Sequence, residues 1–249
     1  MIILTEIFLL ILAYLLGSIP TALIISKVFF NIDIRNYGSH NMGSTNVFRV
    51  LGFKYGIATF ILDALKAGLI VFLFRINLIS PDVYHHINPL FYGFAAVIGH
   101  IFPVFAKFKG GKGIACGSGI ILAYAPLHFS IAFLVFILVL LIFKYVSLSS
   151  ILASFSLLFT SFFIPVFGKK DLYFMIFSLI IFVTVLITHR KNIIKLFNRT
   201  ESKITKQENE KHKIIKKTNL TEFTENKKNK VIIKCHKNSK FTKRYFPIK

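Results

Sequence analysis

The chain has 249 residues, of which 55% are hydrophobic and 16% are charged, and its formal net charge is +21. Water-soluble domains contain about 25% charged residues, so this composition excludes an ordinary soluble protein and indicates an integral membrane protein. Residues 189–249 hold 19 Lys or Arg and 5 Asp or Glu. A basic segment after a membrane span is typical of a cytoplasmic tail near anionic lipid, and we expect no nucleic-acid binding.

Apolar runs of roughly the 20 residues that cross a bilayer recur along the chain. They predict an all-α integral membrane protein with seven transmembrane helices, over residues 3–25, 54–75, 88–106, 114–127, 129–143, 151–167 and 172–188. The first span is predicted to be retained, because it contains Glu6 and lacks the basic residues of a signal peptide. The segments 114–127 and 129–143 are short, so full spans and a tilted or broken helix pair both stay open.

The distribution of basic residues predicts the topology. Lys and Arg fall in the loops 26–53, 107–113 and 144–150 and in the tail, whereas the loop 76–87 contains no lysine. The positive-inside rule then places the N-terminus outside and the C-terminus in the cytoplasm, with Lys169 and Lys170 as the exception. Residues 1–203 are predicted to form the membrane domain, and 204–249 a basic, disordered cytoplasmic tail.

The first polar loop, residues 34–52, reads IRNYGSHNMGSTNVFRVLG. Gly, Ser, Asn and Thr expose backbone N–H groups and short donors, which are the groups that hold oxyanions. The alternative is an ordinary turn-rich loop.

The second polar loop begins the segment KFKGGKGIACGSG, residues 107–119. It is not a nucleotide-binding P-loop, because Gly113 stands where Ser or Thr is needed and no strand precedes it. Glycines followed by a helix N-terminus and a lysine can still hold phosphate. A phosphate cradle and a flexible turn are equally compatible with this pattern.

The third polar segment, residues 188–203, reads THRKNIIKLFNRTESK. Its Lys and Arg are typical of a cytoplasmic anchor. His189 and Asn192 share a helix face, however, and Glu201 follows.

Ionisable residues also occur within two predicted spans. Asp63 and Lys66 are three residues apart, which favours a mutually neutralising pair over a direct ligand role. His100 precedes the glycine loop and is interpreted as a hydrogen-bonded packing residue, with a proton shuttle as the alternative. The two cysteines, Cys116 and Cys235, have no metal-ligand spacing around them, so we expect no bound metal and no disulfide.

These segments together resemble the bacterial membrane glycerol-3-phosphate acyltransferases that take the acyl group from acyl phosphate, the PlsY type. The resemblance covers about residues 14–203 and is carried by GSIPTALIISK at 17–27, GSHNMGSTNVFR at 38–49, LDALKAG at 62–68, GHIFPVFAKFKGGKGIA at 99–115, KYVSLSSI at 144–151 and HRKNIIKLFNRTESK at 189–203. Three positions depart from the family pattern: His40 and Arg199 replace glycines, and Cys116 replaces a threonine.

The resemblance implies transfer of a fatty acyl group from acyl phosphate to the 1-hydroxyl of sn-glycerol 3-phosphate, giving lysophosphatidic acid and phosphate in phospholipid biosynthesis. It also implies a seven-span fold with a site facing the cytoplasm. The expected partners are the two substrates and membrane lipid, with no cofactor. The expected location is the bacterial cytoplasmic (inner) membrane, with the chain acting as a monomer.

Carried over by position, the resemblance implies catalytic roles for Ser39, Arg49, Lys112, His189 and Asn192. It implies substrate-binding roles for Asn41, Thr45, Asn46, Lys109, Gly110, Gly111, Gly113, Glu201 and one of two serines, Ser147 or Ser150. Lys112 and the glycines would neutralise the leaving phosphate, while Arg49, Lys109, His189 and Asn192 would hold glycerol phosphate. Ser39 would orient the reacting groups and would not act as a covalent nucleophile. Either His189 or a substrate phosphate could accept the hydroxyl proton.

Other functions fit the sequence less well. Acyl-CoA-dependent acyltransferases use an HxxxxD pair, and no His here is followed five positions later by Asp. A CDP-alcohol phosphotransferase needs clustered aspartates, which are scattered in this chain. A transporter of a phosphorylated solute would place its site near the bilayer midplane between internal repeats, whereas these polar segments lie at one edge.

Overall fold

The computed structural model describes residues 2–78, 87–166 and 168–204, and its regular elements there are helical. The ten α-helices are α1 Ile2–Gly17, α2 Thr21–Phe30, α3 Ser44–Leu51, α4 Phe53–Arg75, α5 Pro89–Ile101, α6 Ile114–Tyr124, α7 Pro126–Phe143, α8 Val146–Phe163, α9 Leu172–Thr188 and α10 Arg190–Phe197. Short 3₁₀ turns at Ile34–Asn36 and Val104–Ala106 precede the two main polar loops. The predicted tail beyond Ile204 and Cys235 lie outside the described residues.

Each of the seven predicted spans coincides with helix, which confirms an all-helical integral membrane fold. Five helical segments are long and apolar enough to cross a bilayer, namely Ile3–Phe30, Phe53–Arg75, Pro89–Ala106, Pro126–Phe143 and Val146–Phe163. Helices α9 and α10 qualify as a sixth only as a pair, bent by 61°. Helix α6 has 11 residues and is short for a span. The count of seven spans and the orientation of the termini stay predictions.

Two predicted spans differ in detail from the helices of the structure, for identifiable reasons. The first span, predicted as one helix, is interrupted between Gly17 and Thr21, because Pro20 has no N–H to continue the hydrogen-bond ladder. Helix α8 begins five residues before the predicted position 151. Serines at that end were read as loop, but Ser149 and Ser150 donate their hydroxyls to the carbonyls of Tyr145 and Val146 within the helix.

Small residues let the central helices approach closely. Helix α4 packs extensively on α6, where a Cβ added at Gly119 would lie 2.0 Å from the carbonyl oxygen of Ala64. Helix α1 packs on α5, where a Cβ at Gly17 would lie 2.1 Å from the carbonyl oxygen of Ala96. Such contacts are typical of helix packing in membranes, where backbone proximity replaces the hydrophobic driving force. They bring the C-terminal end of α5 beside the N-terminal end of α6, and so position the glycine loop.

Helix α7 is the least buried of the long apolar helices. Of its 18 residues, only His128 is buried inside the protein. An apolar helix exposed in this way is stable only in lipid, which agrees with the membrane fold.

Candidate active site

Asn46 organises the first polar loop. Its side chain is 1% exposed, and its Nδ2 lies 2.9–3.2 Å from the carbonyl oxygens of Ile34, Tyr37 and Asn41. Its Oδ1 accepts the backbone N–H of Ser39 at 2.8 Å. Because the buried amide is used entirely by the backbone, the geometry favours a loop-shaping role over the substrate contact predicted for Asn46.

The other first-loop candidates lie around this buried amide. Asn41 accepts the N–H of Gly43 through Oδ1 at 2.8 Å, which forms an Asx turn before α3. Thr45 is in the first turn of α3 and is partly buried, while Ser39 is exposed at the loop surface. Ser39 and Thr45 are therefore the loop candidates with hydroxyls available to a ligand.

Two substitutions of glycine fall at left-handed positions. His40 has φ 59° and Arg199 has φ 55°. His40 is held by a 2.9 Å contact from Nδ1 to the carbonyl oxygen of Arg35. Histidine tolerates this conformation better than most residues, which allows it to take the place of glycine here.

The glycine loop folds back onto the end of α5. Gly111 donates its N–H to the carbonyl oxygen of His100 at 3.0 Å. A Cβ at Gly110 would lie 2.0 Å from that same oxygen, and a Cβ at Gly111 would lie 2.0 Å from Nε2 of His100. Gly113 has φ 83° and serves as the N-cap of α6. These glycines are therefore required by packing and backbone conformation, whether or not an anion is bound.

A hydrogen-bonded network joins three distant parts of the chain. The Lys112 ammonium donates to Oδ1 of Asn192, and the Asn192 amide donates to Oε1 of Glu201 at 2.7 Å. Ser147 donates to the same carboxylate oxygen at 3.1 Å. The structure thus brings Lys112, Asn192, Glu201 and Ser147 together. Lys112 and Asn192 are 80 residues apart in the sequence, and Ser147 and Glu201 are 54 residues apart.

The two candidate serines differ in their surroundings. Ser147 contacts Glu201, whereas Ser150 donates to the carbonyl oxygen of Val146 and lines an apolar cavity. Ser147 is therefore the serine that belongs to the polar network.

Positive charge is in excess around Lys112. Burial lowers the pKa of Lys112 to about 8, Glu201 acts in the opposite direction, and the charges of Arg49 and Lys195 lower it further. The Nε of Arg49 is buried and has no hydrogen-bond partner within the described parts of the chain. The charges that act together here are thus those of three cations and one carboxylate, an excess of positive charge that an anionic ligand would stabilise.

His189 lies one residue beyond the end of α9 and is 3% exposed. Its Nδ1 lies 2.9 Å from the carbonyl oxygen of Val185, so Nδ1 carries the proton and Nε2 is left as an acceptor. Burial, assisted by the charge of Lys112, lowers the pKa of His189 to about 3. His189 is therefore neutral and a weak base at neutral pH.

An apolar cavity of about 110 Å³ opens beside this polar group. Lys112 and Gly113 line it together with residues of α6, α7, α8 and α9, including Ile121, Phe129, Leu157 and Ile181. A site with a cationic end and an apolar body suits an amphipathic ligand with an anionic head and a hydrocarbon chain.

Sequence reasoning omitted one cation near this site and included one lysine that the structure leaves apart from the network. Lys195 was read as part of a membrane anchor, yet its charge acts on Lys112. Its spacing of three residues from Asn192 was the available signal. Lys109 is exposed, and the structure records no contact that joins it to the network. Across the described residues, no group of three His, Cys, Asp or Glu side chains could hold a metal ion.

Comparison with known proteins gives a consistent result. The family profile described as glycerol-3-phosphate acyltransferase matches residues 7–199. The chain is 47% identical over 195 residues to glycerol-3-phosphate acyltransferase 2 of Bacillus anthracis, covering 78% of this chain and 97% of that protein. It is 44% identical over 197 residues to glycerol-3-phosphate acyltransferase of Bacillus subtilis strain 168, covering 79% and 96%.

Solved structures are also similar. The crystal structure of PlsY, an integral membrane glycerol 3-phosphate acyltransferase, in its glycerol 3-phosphate form superposes with a TM-score of 0.71 at 37% identity, covering 80% of this chain and 94% of that chain. The lysophosphatidic acid form of PlsY gives a TM-score of 0.69 at 36% identity, covering 79% and 94%.

Proposed function

The chain belongs to the glycerol-3-phosphate acyltransferase family of the PlsY type, and from this premise we propose that it transfers a fatty acyl group from acyl phosphate to the 1-hydroxyl of sn-glycerol 3-phosphate. The products are lysophosphatidic acid and inorganic phosphate. The site faces the cytoplasm, from which glycerol 3-phosphate arrives, and the membrane is the bacterial cytoplasmic membrane.

One observation carries this proposal: the excess of positive charge around Lys112, which itself lines the apolar cavity. Arg49 and Lys112 are both partly buried, and the buried Nε of Arg49 lacks a hydrogen-bond partner in the described residues. A cation left unpaired in such a place is costly, so its partner is expected to come from a ligand. Phosphate groups of the two substrates would supply that partner.

The acyl donor is expected to span the polar and apolar parts of the site. Its phosphate would lie against Lys112 and the first turn of α6, where Gly113 leaves the helix N-terminus open. Its chain would enter the cavity that Lys112 and Gly113 line. The acyl carbon is then held at the boundary, close to the polar loops that would bind glycerol 3-phosphate.

The reaction needs no acyl-enzyme, because acyl phosphate already has a good leaving group. The 1-hydroxyl oxygen of glycerol 3-phosphate attacks the acyl carbon, the bond from that carbon to the phosphate oxygen breaks, and the phosphate leaves with the electron pair. Lys112 would stabilise the charge that develops on this phosphate. Arg49 would hold the phosphate of glycerol 3-phosphate, and Ser39 would orient the attacking group.

The proton of the hydroxyl is expected to pass to a substrate phosphate. An efficient base has a pKa near the working pH, and a pKa of about 3 makes His189 a poor acceptor. His189 would instead accept a hydrogen bond from the glycerol moiety through its free Nε2.

The membrane arrangement is proposed to comprise seven spans, with α6 as the short fourth and α9 as the last. The N-terminus would lie outside and the C-terminus in the cytoplasm, and the chain would act as a monomer without a metal. Single cysteines placed at exposed Lys54 and at Lys170 in a C116S, C235S background test this orientation. A membrane-impermeant thiol reagent should label position 170 in intact cells and position 54 only after lysis; the reverse pattern contradicts the topology.

The reaction itself is tested with the purified full chain in detergent. Glycerol 3-phosphate is offered with palmitoyl phosphate or with palmitoyl-CoA, and phosphate and lysophosphatidic acid are measured. Product from palmitoyl phosphate alone supports the proposal. Product from palmitoyl-CoA alone contradicts the donor, and no product from either donor with folded protein contradicts the activity and makes transport into sealed vesicles the next assay.

A further inference from the structure

A second set of ionisable side chains lies beneath the glycine loop, buried between α4, α5 and the break that separates α1 from α2. Lys66 lies 2.8 Å from Oδ1 of Asp63, and their side chains are 9% and 2% exposed. Thr21 donates to the same carboxylate oxygen at 2.9 Å, and Lys66 donates to the carbonyl oxygen of Ile19 at 2.9 Å. Each member of the ion pair therefore has a further hydrogen-bond partner.

His100 extends this pair to the end of α5. Its Nδ1 lies 3.2 Å from Nζ of Lys66 and 3.6 Å from Oδ1 of Asp63. An ammonium group has donors only, so Nδ1 accepts from Lys66. The ring is 7% exposed and has its orientation fixed by this contact.

The opposite side of the same ring supports the glycine loop. The three atoms nearest to a Cβ added at Gly111 all belong to the His100 ring, with Nε2 at 2.0 Å. The backbone of His100 also accepts the N–H of Gly111 at 3.0 Å. Lys112, the next residue, enters the polar network with Asn192. The first polar loop is adjacent as well, since Met42 lines the same small cavity as Thr21, His100 and Gly111.

We propose that Asp63, Lys66 and His100 form a buried positioning cluster. This cluster fixes the distance of the glycine loop from the end of α5 and thereby the position of Lys112. The ion pair orients the His100 ring, and the ring edge that carries Nε2 limits how closely Gly111 can approach. The loop then places Lys112 at the lining of the cavity. This inference rests on the proposed function for the role of Lys112, but the contact of His100 with Gly111 can be tested without it.

The steric part predicts a specific pattern in a double-mutant cycle. G111A should lower kcat/KM by about a hundredfold when His100 is present, because a displacement of about 1 Å near the reacting groups has this effect. H100A removes all three atoms that the new Cβ would meet. In the H100A background the same G111A change should therefore cost less than about threefold, a non-additivity that reports the contact.

Gly110 supplies the matched control. A Cβ at Gly110 would meet the carbonyl oxygens of His100 and Ile101, at 2.0 and 2.6 Å, and Cδ of Pro103. Removing the His100 ring leaves all of these atoms in place. G110A should thus be equally damaging in both backgrounds.

The ionic part is tested by removing one charge or both. D63N alone and K66M alone should each destabilise the protein, because either change leaves a buried charge without its partner. The double variant D63N/K66M should recover thermal stability but should keep a lowered kcat, since His100 is no longer oriented. H100N, which can still accept from Lys66, should retain more activity than H100A.

The cycle is measured both as kcat/KM with palmitoyl phosphate and as the midpoint of thermal unfolding in detergent. Coupling between positions 100 and 111 in both quantities supports the proposal. Equal effects of G111A in the two backgrounds overturn it, and so does a D63N/K66M variant with full kcat. If the unmodified chain transfers no acyl group, the proposed function fails, and the unfolding midpoints alone then support or overturn the steric coupling.

Discussion

Two groups of charged side chains in this protein each contain a lysine and a carboxylate but differ in how their charges are balanced. In the positioning cluster, Asp63 and Lys66 neutralise each other and their remaining hydrogen-bonding groups are used by neighbouring residues. Around Lys112, the charges of Arg49 and Lys195 add to that of Lys112 itself, and Glu201 is the single carboxylate among these four groups. A balanced buried group is complete in itself, whereas a group with excess charge is completed by a ligand. Charge balance, more than residue type, therefore separates the structural role from the binding role.

The largest effect is expected for the cation at the head of the cavity. K112A removes the charge that would stabilise the leaving phosphate, so kcat should fall by about a hundredfold or more. Phosphate release from palmitoyl phosphate measures this change. K54A, at an exposed lysine outside the network, is the matched control and should keep normal activity. Comparable losses in both variants would show that Lys112 matters only as general surface charge.

A smaller effect is expected for Arg49, whose buried Nε has no hydrogen-bond partner among the described residues. R49K keeps the charge but loses the planar set of donors, so KM for glycerol 3-phosphate should rise about tenfold while kcat changes less. Initial rates at saturating acyl phosphate separate the two constants. A fall in kcat with KM unchanged would place Arg49 on the acyl donor instead of on glycerol 3-phosphate.

The pH dependence of kcat/KM tests the excess of positive charge around Lys112 directly. Lys112 is charged below its pKa of about 8 and neutral above it, so kcat/KM should decline as the pH rises through about 8. Glu201 raises this pKa, and E201Q should therefore move the decline to lower pH, by about one unit. A pH profile of kcat/KM at constant ionic strength is the measurement. An unchanged profile in E201Q would mean that a group other than Lys112 controls the decline.

The smallest effect distinguishes the two serines. S147A removes one hydrogen bond to Glu201, worth about 1 kcal/mol, and should lower kcat/KM about fivefold. S150A removes a hydroxyl that bonds only within its own helix turn among the contacts described, so its effect should be smaller. The opposite order would place the substrate contact at Ser150, in the apolar cavity.

Much of the fold could be predicted from the sequence, because the hydrophobicity of a short stretch is enough to identify a membrane helix. Runs of apolar residues indicate helices that are stable in lipid wherever they occur, and each predicted span is helical in the structure. Helix ends were less predictable. Pro20 interrupts the first span, and the serines before residue 151 continue α8, because local hydrogen bonding decides where a helix stops.

The candidate residues themselves were also visible in the sequence, since Gly, Asn, His and Lys are unusual next to apolar spans and match a family pattern. Their individual roles were not visible. Asn46 reads as a ligand contact in sequence, but its amide is buried and bonded to the loop backbone. Gly110 and Gly111 read as an anion cradle, but both are also required for packing on His100.

The sequence by itself determined the membrane fold class, the three polar segments and the residue types available for phosphate binding. Composition and periodicity are properties of short stretches of the chain and need no knowledge of distant contacts. Only the tertiary structure decided which of those residues meet. Lys112 lies in the glycine loop, Ser147 in α8, Asn192 in α10 and Glu201 after α10, and the structure brings them into one hydrogen-bonded network. Small residues that let α4 and α6 approach closely are part of the packing that positions them. The balance of charge at each site follows from those contacts, because burial and distance between charged groups are properties of the folded chain.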